Sequence, residues 1–244
     1  MAISDRELVR QMRKVLRASP GDQLSVLDGQ GRLYRCVLTR LDALAAEARI
    51  TAEEEAKGDP EQPVAMALPL LKGGRFEWAL QKLTELGVSR VVPILAERSV
   101  VRIDAGKEGA KLRRWQAIMK EAAEQCERAT IPPIVEPLSL RTAIQSGLFS
   151  RLPDKAGKGL GLRLLCAERR DAPLMRELID SSPAGAPPPG SISVIVGPEG
   201  GLADDEVTLA CQQGWQPVSL GPRILRAETA AVCAIAQLRG FMGD

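Results

Sequence analysis

Two glycine-bearing turns in the last quarter of the chain constrain its fold more than any other feature. The first is Val194-Ile195-Val196-Gly197-Pro198-Glu199-Gly200-Gly201-Leu202. The second is Leu220-Gly221-Pro222-Arg223-Ile224-Leu225-Arg226-Ala227-Glu228-Thr229-Ala230. Ile192 to Val196 and Pro217 to Leu220 read as the strands ahead of these turns. Asp204 to Gln213 and Glu228 to Arg239 read as the helices behind them. Strand, tight turn and helix in alternation belong to an α/β sheet. Glycine at such strand ends lets the main chain come close to a ligand. A phosphate, a nucleotide or a methyl donor would suit these turns, and so would tight packing with no ligand at all.

The alternating pattern starts near Met66. Phe76, Ala79, Leu80 and Leu83 recur at helical spacing, and Gly87 can end that helix. Val91 to Leu95 is a strand interrupted by Pro93. Trp115, Ile118, Met119, Ala122 and Cys126 form the apolar face of a second helix, with Lys120, Glu121, Glu124, Gln125 and Arg128 on its solvated side. Leu162 to Ala167 is a further strand, and Ser182 to Gly190 is a Pro/Ala/Gly loop. Ahead of all this, Gln23 to Leu27 and Leu33 to Leu38 alternate in the manner of strands around a hairpin turn at Asp28-Gly29-Gln30-Gly31. Glu53 to Pro63 reads as a charged connecting loop. The expected organisation is a small β-rich domain over residues 1–66 and an α/β domain over 67–244.

Composition narrows the chemistry. The chain contains no histidine, which removes the commonest general base and most zinc sites. Proton transfer must then use carboxylate, Lys, Tyr, Cys or groups of the substrate, and a reaction needing little acid–base help fits best. The five cysteines are scattered without a C-x-x-C pair, which suits a reducing cytoplasm rather than a disulfide scaffold, and no metal site is expected. The opening stretch is charged rather than signal-like, and no apolar run is long enough to span a bilayer. Residues 1–40 carry eight Arg and Lys against four Asp and Glu, and residues 67–128 carry twelve against eight. Two basic stretches are compatible with an RNA backbone as partner and equally with ordinary solvated surface.

Five ordered motifs carry a resemblance. They are Lys14-Val15-Leu16-Arg17 with Pro20-Gly21-Asp22; Lys72-Gly73-Gly74-Arg75 through Glu77, Gln81-Lys82 and Thr84 to Val88; Glu97-Arg98-Ser99; Arg114-Trp115 with Glu121-Ala122, Glu124-Gln125, Arg128 and Pro132; and the two glycine turns. Through them the chain resembles the RsmE-type 16S ribosomal RNA (uracil-N3) methyltransferases of the SPOUT class. The chain departs from that pattern by opening close to its basic segment and by carrying Gln11 where the family often has histidine. The resemblance implies a small PUA-like β-barrel that helps hold RNA, followed by a SPOUT α/β domain with a C-terminal trefoil knot. It also implies S-adenosylmethionine as methyl donor, 16S ribosomal RNA within the small subunit as partner, and a homodimer with the knot helices at its interface. Ala230, Ala231, Ala234 and Ala236 would provide a small-residue packing surface there.

Carried onto this chain, the donor pocket is made by three loops: Cys166-Ala167-Glu168; Gly197, Pro198, Glu199, Gly200 and Gly201; and Leu220, Gly221, Ile224, Leu225, Arg226, Thr229 and Ala230. Leu220, Ile224 and Leu225 would be its apolar walls. Arg13, Lys14, Arg17, Lys72 and Arg75 are the residues expected along the RNA path. The N3 proton of uracil must leave, so either Glu199 accepts it or Arg226 stabilises the uracil anion, with Arg226 preferred for its place inside the donor turn. Its alternative role is an ion pair with Glu199 or Glu228. Competing functions are ribose 2′-O methylation, RNA binding with an inert pocket, and phosphate binding, the last without a G-x-x-x-x-G-K-[ST] pattern.

Overall fold

A computed structural model describes residues 1–101, 106–149, 161–167, 171–180 and 190–243. They form two units, one of Met1–Asp59 with Glu127–Ile131, the other of Pro60–Cys126 with Pro132–Asp244. A boundary at 66/67 would cut a buried strand, Val64–Pro69, which belongs to the second unit.

The first unit is a four-stranded antiparallel sheet with one helix. Its elements are β1 (Ala2–Ile3), α1 (Arg6–Lys14), β2 (Gln23–Leu27), β3 (Arg32–Leu41) and β4 (Ala46–Glu55), in sheet order β1-β4-β3-β2. A strand therefore precedes the basic segment, although it is only two residues long. The helix α1 starts where the Asp5 carboxylate accepts from the amides of Glu7 and Leu8 at 2.9 and 3.2 Å. Val9 and Met12 face the sheet and pack with Ile3, Leu38 and Ala46, leaving Arg6, Arg10, Arg13 and Lys14 exposed. The hairpin turn lies where the sequence places it. Gly29 and Gly31 have φ of 72° and 102°, and Asp28 accepts from the amides of Gln30 and Arg32. The Gln30 amide, followed by that of Arg32, holds the Asp28 carboxyl below its usual range.

The charged stretch from Glu53 is a strand end before it is a loop. β4 continues to Glu55 because Arg32 and Arg35 on β3 pair across the sheet with Glu53 and Glu54, each at 3.4 Å. Residues 127–131 rejoin this unit through Gly31 N–H to Ala129 O at 3.1 Å. Arg128 is accordingly not on a solvated helix face. It is buried, and its Nε donates to Asp59 at 2.8 Å.

The second unit holds β5 (Val64–Pro69), α2 (Arg75–Glu85), β6 (Arg90–Leu95), α3 (Glu108–Gln125), β7 (Leu138–Ser139), α4 (Leu140–Gln145), β8 (Leu162–Cys166), α5 (Met175–Asp180), β9 (Ile192–Val196), α6 (Asp204–Gln212), β10 (Gln216–Val218) and α7 (Ala227–Met242). Among the described residues its six strands are all parallel, in order β10-β8-β9-β5-β6-β7. The run Val64 to Leu68 is continuously apolar because both sheet faces are covered. Val64, Met66 and Leu68 pack with residues of α2, α3 and α7, while Ala65 and Ala67 pack with α4 and α6. Phe76 and Trp115 meet with ring centroids 4.7 Å apart. Gly87, at φ 81°, ends α2 as its position predicts. Arg239 of α7 is also buried, donating to the carbonyls of Gln62, Leu86 and Gly87 at 2.9, 3.3 and 2.6 Å. It locks the last helix onto the entry to β5 and the exit of α2. The expected loop from Ser182 lies outside the described residues except for Gly190.

Ala230, Ala231 and Ala234 do not form an outer packing surface. They are 3%, 0% and 0% exposed and lie in the domain's own core; Ala236 alone of the four is exposed. Small side chains here let α7 sit close on β5 and β9.

Candidate functional site

In an open parallel sheet, ligands bind beyond the carboxyl ends of the strands, where the strand order reverses. The chain builds β5, β6 and β7 toward one edge and then crosses to place β8, β9 and β10 on the other side of β5. At the carboxyl ends of β8 and β9 lies a cavity of about 370 Å³, a size suited to a small organic ligand. Cys166 and Ala167 form one part of its lining, and Gly197, Pro198, Glu199, Gly200 and Gly201 another. Ile224, Leu225 and Ala230 close it from the second glycine turn. The three expected loops thus meet at one place.

Local geometry explains the glycines. Pro198 O accepts from Gly201 N–H at 2.8 Å, and Gly201 sits at φ 72°. A side chain at Gly200 would crowd Arg98, its Cβ lying 3.0 Å from the Arg98 Cβ and 3.1 Å from the Arg98 carbonyl oxygen, closer than such atoms ordinarily pack. The turn is also held from below. The buried Glu206 carboxylate accepts from Glu97 N–H at 2.9 Å and from Ala203 N–H at 3.0 Å, tying the 97–99 turn to the start of α6. Gly221 works differently. It adopts φ 132°, and a Cβ there would meet nothing within 4 Å. Its glycine is required by backbone conformation, not by space.

Several expected residues stand elsewhere. Leu220, Gly221, Arg226 and Thr229 do not line the cavity, and Glu168 lies outside the described residues. Leu220 packs on the core behind the second turn. Arg226 precedes α7 as its N-cap residue and is exposed, with no ion pair to a described residue. The brace expected of it is made by Arg75. One Arg75 Nη lies 2.9 Å from Glu199 Oε1 and the other 3.8 Å from Glu228 Oε1. Arg75 is therefore committed to the cavity's edge through these pairs. Arg13, Lys14, Arg17 and Lys72 remain exposed cations.

Arg98, Val196, Leu202, Asp204 and Val207, which lie outside the three expected loops, also line the cavity, as does Ala227 within the Leu220 to Ala230 loop. For Arg98 a signal existed, since Glu97-Arg98-Ser99 stands among the motifs; its neighbour in space, Gly200, is about a hundred positions away in sequence. Ile224 is 63% exposed at the cavity mouth, an apolar side chain awaiting cover. Among the described residues no group of His, Cys, Asp and Glu could hold a metal ion, and no described helix is long and apolar enough to cross a membrane.

Residues 59–239 match the RNA methyltransferase domain family, and residues 5–51 match the RNA methyltransferase PUA domain. The ribosomal RNA small subunit methyltransferase E of Synechocystis is 37% identical over 231 residues, covering 95% of this chain and 70% of that protein. A crystal structure of the ribosomal RNA small subunit methyltransferase E from Neisseria gonorrhoeae, bound to S-adenosyl methionine, has a TM-score of 0.81 to this fold. It is 31% identical, with 99% of this chain and 91% of that one covered. A putative methyltransferase from Legionella pneumophila, also in complex with the bound cofactor, gives a TM-score of 0.79 at 31% identity, covering 99% and 91% of the two chains.

Proposed function

We infer, because the chain belongs to the ribosomal RNA small subunit methyltransferase E family, that it methylates N3 of a uridine in 16S ribosomal RNA with S-adenosylmethionine as donor. The observation that carries this reading is the meeting of the Cys166, Gly197–Gly201 and Ile224–Ala230 segments around one cavity. Its residues suit the donor. Glycine-rich main chain offers hydrogen-bonding groups to an adenine edge, Ile224 and Leu225 offer apolar cover to its faces, and Arg98, Glu199 and Asp204 offer charges of both signs to an amino-acid tail.

Bound S-adenosylmethionine supplies an electrophilic sulfonium methyl group. What remains for the protein is to present uracil N3 as a nucleophile. Arg226 is the residue we assign to that task. It follows Leu225 and precedes Ala227, both lining residues, and as an exposed cation at the start of α7 it can stabilise charge developing on a base brought to the mouth. Glu199 is the alternative proton acceptor. Its Oε1 already holds the Arg75 guanidinium, which gives it a structural role first.

The first unit would carry the RNA. Arg13 and Lys14 lie exposed in the last turn of α1, and Arg17 follows at φ 51°. Replacing Arg13 and Arg17 with alanine is expected to weaken RNA binding and flatten its dependence on salt, by roughly 1.4 in log–log slope for two single-strand phosphate contacts. Affinity for S-adenosylmethionine should stay unchanged. Titrations at several salt concentrations measure both, and an unaltered slope would make these arginines ordinary surface.

The sheet order and the return of α7 onto β5 and β9 support a trefoil knot at the C-terminal end. A homodimer through the outer face of α7, acting on the small subunit in the cytoplasm, completes the proposal. Calorimetric titration with S-adenosylmethionine tests its foundation. One site per chain is expected, and no heat of binding with no thermal shift would remove the reading.

A further inference from the structure

We propose that Arg75 is a positioning residue of the donor site, an ion-pair clasp that joins the two glycine-turn walls of the cavity. The inference rests on the assignment of that cavity to S-adenosylmethionine. Arg75 opens α2, directly after Gly73 and Gly74, which both have positive φ, 64° and 77°. Its Nε donates to Lys72 O at 3.0 Å, which orients the guanidinium plane. The two remaining nitrogens then reach across to segments more than a hundred residues away. One meets Glu199 in the first glycine turn at 2.9 Å, and the other faces Glu228 in the first turn of α7 at 3.8 Å. A planar fork with fixed donor directions suits this bridge in a way an ammonium does not.

The burial pattern shows which partner depends on the bridge. The side chains of Arg75 and Glu199 are about one-third exposed, at 32% and 31%, whereas that of Glu228 is 9% exposed. Glu228 Oε2 is buried and has no hydrogen-bond partner among the described residues. A buried carboxylate is costly without a compensating charge, and Arg75 is the cation placed to supply it. Glu199 itself lines the cavity, and Ala227 and Ala230 flank Glu228 on the helix while lining the opposite wall. One guanidinium therefore neutralises two carboxylates, one on each wall. Removing it takes the shared cation from both carboxylates, and the two walls lose their bridge where the donor must be gripped.

The clasp makes Arg75 a determinant of donor affinity, not a phosphate contact. Arg75→Gln should raise the S-adenosylmethionine Kd about tenfold or more, as loss of a coupled pair in one network does. Its KM for the donor should rise while kcat at saturating donor stays within about threefold and the salt slope of RNA binding is unchanged. Arg75→Lys should recover part of the affinity. The double variant R75Q/E228Q should bind the donor no worse than R75Q, because both changes break the same pair and Glu228 does not line the cavity. Should R75Q fail to fold, Glu228→Gln carries the test, with the same rise in Kd expected from a residue that pairs with Arg75 and does not line the cavity. A Kd within twofold of wild type in the folded variant would overturn the clasp. So would a fall of about 0.7 in salt slope at intact donor affinity, which marks a single phosphate contact. Absence of donor binding by the wild-type protein is a different failure, since it overturns the assignment of the cavity itself.

Discussion

Replacing Arg226 with alanine is expected to lower the single-turnover methylation rate by roughly 100-fold or more, the scale of losing one electrostatic catalytic donor. The argument is one of placement. Arg226 stands between two cavity-lining residues, Leu225 and Ala227, and it makes no ion pair with a described residue. The carboxylates that could have held it, Glu199 and Glu228, face Arg75. A structural brace is therefore present, and Arg226 is not part of it. If the guanidinium stabilises the uracil anion, raising the pH should restore part of the lost rate, because deprotonation in solution then supplies the anion that the arginine no longer favours. Affinity for the donor should change little. Quenched-flow measurements of methyl transfer across a pH series, alongside calorimetry, separate the roles. Wild-type turnover in R226A would move the chemistry to Glu199, and joint loss of donor affinity and thermal stability would make Arg226 a brace after all.

The second large effect belongs to Gly200. Gly200→Val should weaken S-adenosylmethionine binding by about 100-fold or abolish it, with the fold retained by circular dichroism. The Cβ alone would lie 3.0 Å from the Arg98 Cβ and 3.1 Å from the Arg98 backbone oxygen. The partner turn cannot withdraw cheaply, because Glu206 anchors it through Glu97 N–H at 2.9 Å. The Gly197–Gly201 turn must then move, and its main chain is the wall that touches the ligand. Gly221→Ala is the control with a different physical cause. No atom stands within 4 Å of its Cβ, so the cost is confined to holding alanine at φ 132°. It should lower stability more than it lowers donor affinity. Normal donor affinity in G200V would remove the first turn from the binding site.

These contrasts show what could be read from the chain before its structure. The second unit was legible because its signals are local. Phe76, Ala79, Leu80 and Leu83 mark α2 by spacing, Ile192 to Val196 marks a strand buried on both faces, and glycines mark the turns that follow. The first unit hid more. The helix α1 sets Val9 and Met12 at helical spacing, but among so many charged residues that charge reads there before period, and β4 ends in three glutamates that look like a loop until arginines on β3 face them. Contacts over long separations were invisible. Glycine at 200 reads as ligand approach, yet half its reason is Arg98; Arg75 reads as a cation for phosphate, yet its partners lie at 199 and 228. No periodicity carries such pairs, because they depend on how the strands are ordered in the sheet.

The most direct test of the account is the identity of the modified nucleoside. Small-subunit ribosomal RNA lacking the modification would be incubated with this protein and methyl-labelled S-adenosylmethionine, digested to nucleosides, and resolved by mass spectrometry. One labelled species, a uridine methylated on the base at N3, is the expected product, and it should disappear with G200V. A ribose-methylated nucleoside, or unlabelled RNA from a protein that binds both the donor and the RNA, would contradict the account.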